Sequence, residues 1–158
     1  MVCKVYISLI ENMPFELPLP TEELVERSLT ALKIISDTEE EERKNAPPAA
    51  AADSKDSEEE GEYDLLIAMN FQVIALLLAR DLEGTWKSIG SEERLSFLLG
   101  KWYEFMPRFK HHFELRRIIF GLKSVLCADA AMIPESLIGN FPSLFAQAAP
   151  LILKDVEH

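Results

Sequence analysis

Apolar side chains recur at three- and four-residue steps along most of the chain. From Thr21 they fall at Leu24, Val25, Leu29, Leu32 and Ile35, which puts them on one stripe of an α-helix. Pro20 precedes this stretch, Thr21 can cap it, and Glu22 and Glu23 sit at the positive end of the helix dipole. The same helix is expected to fray through TEEEERKN, Thr38 to Asn45. Upstream, Met1 to Ile10 carries its apolar positions on one face and reads as a helix or a short strand. It begins abruptly and without a cap, as expected of a piece of a longer protein. Pro14, Pro18 and Pro20 break the chain after it, because proline has no backbone donor and restricts its predecessor.

A different pattern begins at Tyr63. YDLLIAMNFQVIALLLARDL, Tyr63 to Leu82, is apolar almost all round, so it predicts a helix buried on more than one side. Gly84 and Thr85 read as a link. Ser91, followed by Glu92 and Glu93, then caps a helix that runs to Met106, with Leu95, Leu98, Leu99, Trp102, Phe105 and Met106 as its stripe. After a link around Phe109 to His112 comes a further helix to Cys127. Its stripe is Leu115, Ile118, Ile119, Leu122, Val125 and Leu126, and Gly121 marks a place where a neighbouring helix can come close. Pro134 opens a short helix over Glu135 to Ile138, stopped by Gly139 and Asn140. Pro142 starts a last one, Ser143 to Val156, with Leu144, Phe145, Ala148, Leu151 and Ile152 inward.

Strand signals are weak after Pro20: there is no Asn-Gly turn and no alternating run of β-branched residues. The fold class is therefore all-α. A closed bundle needs one stripe per helix, whereas 63–82 has several apolar faces. Stacked antiparallel helix pairs account for that, and pairing 63–82 with 91–106 and 114–127 with 143–156 gives units near the roughly 40 to 47 residues of a HEAT-type α-solenoid. The chain divides into N-terminal helices (1–44), an acidic loop (45–62) and a continuous unit of helix pairs (63–158). The loop, APPAAAADSKDSEEEGE, has no large apolar residue and reads as mobile.

Composition narrows the partners. With 48% hydrophobic residues there is material for a core. The net charge of -11 argues against a nucleic-acid partner, which needs a basic stripe, and against an anionic membrane surface. It favours basic partners. Much of the acid excess lies between Asp37 and Asp64. The two cysteines, Cys3 and Cys127, read as reduced thiols, and no apolar run is long enough to span a bilayer.

Candidate chemistry is thin. His111 and His112 are adjacent, so on a helix their side chains diverge by about 100 degrees and cannot easily share a metal. No His-x3-His or CxxC spacing supplies other ligands. Cys127 lies at the far end of the same helix from His112, about 20 Å away at about 1.5 Å per residue, which excludes an intrahelical nucleophile and base. The glycines are scattered and form no phosphate loop. The carboxylates of the acidic loop lack the apolar surroundings that would raise a pKa. Trp86, Trp102 and Tyr103 read as core or helix-interface aromatics, and Lys101, Lys110 and Lys123 as a solvated face. No catalytic residue, metal or cofactor is expected.

The stretch HHFELRRIIFGLKSVLCADAAMIPESLIGNFPSLFAQAAPLIL resembles the late HEAT repeats of the importin-β (karyopherin-β) nuclear transport receptors, and most the importin-seven and importin-eight branch. The matching positions are His112, Glu114, Arg116 or Arg117, Gly121, Leu122, Ile133 and Pro134, and the resemblance runs from Tyr63 to Leu153. The long acidic loop departs from the pattern. The resemblance implies a cargo-binding segment without catalysis, in a parent protein that moves between cytoplasm and nucleus. Such a parent would meet nuclear pore proteins and would engage Ran bound to GTP through other parts. Arg116 and Arg117 would pair with an acid of a neighbouring repeat. Contact with basic protein cargo is expected at Glu39, Glu40, Glu41 and Glu42 and at Asp53, Asp56, Glu58, Glu59 and Glu60. The rival expectation is a HEAT-type scaffold subunit with no transport role.

Overall fold

The computed structural model describes residues 2–12, 19–45, 61, 63–109 and 111–129, with isolated positions between 131 and 150. Most of the acidic loop, and all but isolated positions of the helices expected at 135–138 and 143–156, lie outside them. Among the described residues all regular structure is helical: α1 (Val2–Asn12), α2 (Thr21–Asn45), α3 (Asp64–Arg80), α4 (Leu82–Ile89), α5 (Glu92–Phe105) and α6 (His112–Leu126), with a 3-10 turn at Met106–Arg108.

The ends of these helices follow local chemistry, and some of them differ from the expectation. The first segment is a helix, not a strand, because Ile7 and Ile10 bury one face at helical spacing. Pro20 takes the cap position of α2: its carbonyl accepts from the N–H groups of Glu23 at 3.0 Å and Leu24 at 3.2 Å. At its other end α2 continues through the acidic run to Asn45, with Arg43 and Lys44 at the negative end of its dipole. The supposed link after α3 is itself helical: the Asp81 carboxylate accepts from Gly84 N–H at 2.9 Å and caps α4. Gly90, at φ 82°, ends α4 in a conformation that favours glycine. Ser91 caps α5 as expected, accepting from Arg94 N–H at 3.2 Å.

The centre of the molecule is α3. Every residue from Ile67 to Leu78 is buried. The two polar side chains in that run bond to the helix's own backbone, Asn70 to the Leu66 carbonyl at 2.8 Å and Gln72 to the Ala68 carbonyl at 3.2 Å. Around α3 the helices form two layers whose directions follow from the contacts. Cys3 meets Asn70 and Ile10 meets Arg80, so α1 runs parallel to α3. Gln72 meets Arg117 and Ala75 meets Gly121, so α6 also runs parallel to α3. On the other side, Glu26 meets Arg94 and Glu39 meets Arg108, so α2 runs parallel to α5. The layers are antiparallel to each other: Trp102 meets Phe71, whereas Arg108, further along the chain, meets Asp64 at the start of α3. Phe71 joins α3 to α5 through Trp102, with ring centroids 5.4 Å apart, and Phe105 at 6.1 Å.

The tightest packing is between α3 and α6. A Cβ placed on Gly121 would fall 2.5 Å from the Ala75 carbonyl oxygen and 2.6 Å from its Cα. These are backbone atoms, so a side chain there must push the helices apart. Gly121→Ala is therefore expected to destabilise the protein by about 1 to 3 kcal/mol, against its gain in helix propensity. Gly100 has nothing within 4 Å of the same construction. Gly100→Ala should stabilise by about 0.5 to 1 kcal/mol. Urea denaturation of both variants checks the pair, and equal stabilities would contradict the close crossing.

Candidate functional site

Two surfaces carry the site residues expected from the sequence. The first is the acidic end of α2. Of the four glutamates expected there, Glu39 is turned into the fold: Arg108 donates to both its oxygens, at 2.7 and 3.0 Å. The same guanidinium donates through Nε to Asp64 at 2.6 Å and lies 4.9 Å from the centre of the Phe105 ring. Both carboxylates and the arginine are mostly buried. The Arg108 pKa is held above its ordinary value, chiefly by its bond to Glu39 and, against the opposing effect of burial, also by its bond to Asp64. Glu42 accepts from the Tyr63 hydroxyl at 3.2 Å. Glu40 and Glu41 are exposed. Glu40 borders a groove of about 690 Å³ between α2 and α5, where Lys33, Arg94 and Lys101 mix with Glu26, Asp37 and Glu93. So Glu40, Glu41 and Glu42 remain on the surface, while Glu39 is part of an internal clamp. Asp53, Asp56, Glu58, Glu59 and Glu60 lie outside the described residues.

Arg108 itself carried no signal in the sequence. It is one cation in the link after Pro107, and its two acid partners lie on opposite sides of the acidic loop. Only the antiparallel closure of α2 on α3 brings them together.

The second surface is built on the start of α6. His111 takes the cap position and His112 the first turn; both are exposed, and His111 stacks on Phe113 with ring centroids 5.4 Å apart. The Glu114 carboxylate turns back to accept from His111 N–H at 3.4 Å and is buried. Arg117 ties three helices: it donates to Glu11 of α1 at 2.5 and 2.9 Å and to Gln72 of α3 at 2.9 Å. Arg116 is exposed. Ile10, Glu11, Leu76, Ala79, Arg80, Phe113, Arg116, Arg117 and Phe120 together line a cleft of about 450 Å³.

Of the expected aromatics, Trp102 is buried, Trp86 is half-buried and Tyr103 is exposed on α5, outside the core. Among the described residues no three His, Cys, Asp or Glu side chains lie close enough to hold a metal ion, and no helix is long and apolar enough to cross a membrane. Cys127 is exposed at the end of α6. Cys3 is half-buried beside Asn70, and burial pushes its thiol above its ordinary pKa. No family model, curated protein or solved structure matches the chain.

Two measurements check these placements. Arg108→Ala strands two mostly buried carboxylates beside each other and should cost about 1 to 3 kcal/mol in urea denaturation. Arg108→Lys, which keeps the charge but loses the fork, should fall between. An unchanged alanine variant would place the clamp in solvent. With an aromatic disulfide reagent at mildly alkaline pH, Cys127 should react first and Cys3 much more slowly. Equal rates would contradict the burial of Cys3.

Proposed function

We propose that the chain is a HEAT-type helical-repeat segment of a nuclear transport receptor and that it binds a basic protein cargo by surface complementarity, without chemistry of its own. The observation that supports stacked repeats is chain direction. The helices α1, α3 and α6 run one way in one layer, and α2 and α5 run the other way in the second. Equivalent helices of successive helix pairs are related in this way. The transport reading adds to this the sequence resemblance of residues 63–153. On that reading the parent protein works in cytoplasm and nucleus, meets nuclear pore proteins, and engages Ran bound to GTP through other parts of its chain.

Cargo contact falls to the exposed acids Glu40, Glu41 and Glu42, with Asp53, Asp56, Glu58, Glu59 and Glu60 in the adjoining segment. Glu39 is committed to Arg108, whereas Glu42 accepts from Tyr63 and stays exposed. Surface acids act mainly on encounter, and their reach is limited to about 10 Å at about 0.1 M salt.

Purified core histones serve as the basic probe. The chain should bind them at low salt, more weakly as salt rises, and several-fold more weakly with serine at these eight acids. Glu39→Ser should instead cost stability. Histone affinity unchanged by the serine substitutions at low salt would overturn the assignment of cargo contact. A full-length parent that bound neither Ran-GTP nor pore repeats would favour a scaffold subunit over a transport receptor.

A further inference from the structure

The two layers differ in how their neighbouring helices meet. In one, α3 and α6 touch backbone to backbone at Gly121 and Ala75. In the other, a groove of about 690 Å³ lies between α2 and α5. Ion pairs span it: Arg94 with Glu26 near its start, and the Arg108 clamp on Glu39 towards its far end. Along α2 the groove runs from Glu26 to Glu40, about 21 Å at about 1.5 Å per residue.

Its apolar lining is Leu29, which is buried, and Phe97, which is half-buried. Its charges are not all committed alike. Arg94 is held by Glu26. Lys101 is held by Glu104 at 2.8 Å, and its ammonium lies 5.6 Å from the centre of the Phe105 ring. Among the described residues Asp37, Glu40 and Glu93 make no ion pair, and neither does Lys33; all four are exposed. Once the committed pairs are set aside, three open carboxylates and one open ammonium line the groove.

We propose that this groove docks a short, extended basic segment of a partner protein, with apolar side chains alternating among lysines or arginines. In an extended chain successive side chains point to opposite sides, so the apolar ones would lie on Leu29 and Phe97 while the cations meet Asp37, Glu40 and Glu93 at the rim. At about 3.3 Å per residue the groove holds about six residues. The open carboxylates disfavour a nucleic acid. The net charge of -11 on each chain disfavours a second copy. The proposal rests on the reading of the chain as a binder of basic protein, and it gives that binding a seat apart from the acids of the segment between α2 and α3.

The test uses the whole chain and two fluorescent hexapeptides, Lys-Leu-Lys-Leu-Lys-Lys and its twin with glutamate for every lysine. The lysine peptide is expected to bind, more weakly as salt rises, and about tenfold more weakly when serine replaces its leucines. Asp37→Lys should lower its affinity about tenfold and Glu93→Gln about threefold, with the thermal midpoint of the chain unchanged. Serine at Asp53, Asp56, Glu58, Glu59 and Glu60 should leave the affinity within about twofold. Failure of the lysine peptide to bind, equal binding of the glutamate twin, or indifference to both groove substitutions would overturn the proposal. Loss of binding with the five serines alone would do the same, while leaving the cargo contact of the adjoining segment standing. Conversely, a parent that met neither Ran-GTP nor pore repeats would remove the transport reading and leave the groove, provided its substitutions still weakened the peptide. If Asp37→Lys lowers the thermal midpoint, Asp37→Asn decides, and an unchanged affinity there counts against the groove. A dimer that dissociates on Asp37→Lys would assign the groove to a second copy and end the proposal.

Discussion

A helix without a polar face has to be surrounded, and α3 imposes that requirement on everything else. From Ile67 to Leu78 every residue is buried. Fully burying a Leu, Ile or Phe side chain contributes about 1.5 to 3 kcal/mol, so leaving even one side of this run uncovered would cost several such terms. The other helices satisfy the requirement by lining up along it: α1 and α6 on its flanks, α2 and α5 behind. The contact at Gly121 and Ala75 shows how far this goes. There the chain gives up a side chain so that two backbones can meet.

Hydrophobic burial says how much must be covered but not in which register. The arginines fix that. Arg117 joins α6 to α1 and α3, Arg108 joins the end of α5 to α2 and α3, and Arg94 joins α5 to Glu26 of α2. Each forked guanidinium accepts only one relative placement of its partners. Such pairs, partly open to water, add modest stability, so their main effect is on which alignment of the stack is lowest in free energy. An acidic chain with few arginines has placed several of them between elements.

Helix type and stripe were legible in the sequence wherever apolar spacing was regular. The stripe of α2 is buried as the spacing predicts, and so is α3 from Ile67 to Leu78, while Leu65 and Leu66 in its first turn stay exposed. Gly121 was legible as a close approach because a glycine within a helical stripe has a cost that packing must offset. Boundaries read less well. The extension of α2 through its acids depends on Arg108 and Tyr63, which are far away in sequence, and α4 depends on one aspartate cap. The surface at the acidic end was legible as a charge run but not in its division into committed and outward acids. That division comes from the antiparallel return of the chain, which no local pattern encodes. The pairing of Arg117 with Glu11, 106 residues apart, is invisible to spacing for the same reason.

The Arg108 clamp has a further consequence for how the chain can change over time. It fastens Glu39 to Asp64, and Tyr63 fastens to Glu42, so the two ends of the segment between α2 and α3 are tied together by the fold itself. Once such ends are held, lengthening the connection is cheap: each doubling of a flexible loop adds only about 0.6 kcal/mol of closure entropy. The composition and length of that segment can therefore drift, or be extended by a foreign sequence, while the helical stack keeps its geometry. The clamp holds the two ends of that connection in place whatever sequence lies between them. New binding properties can be gained between those ends without putting the stack at risk.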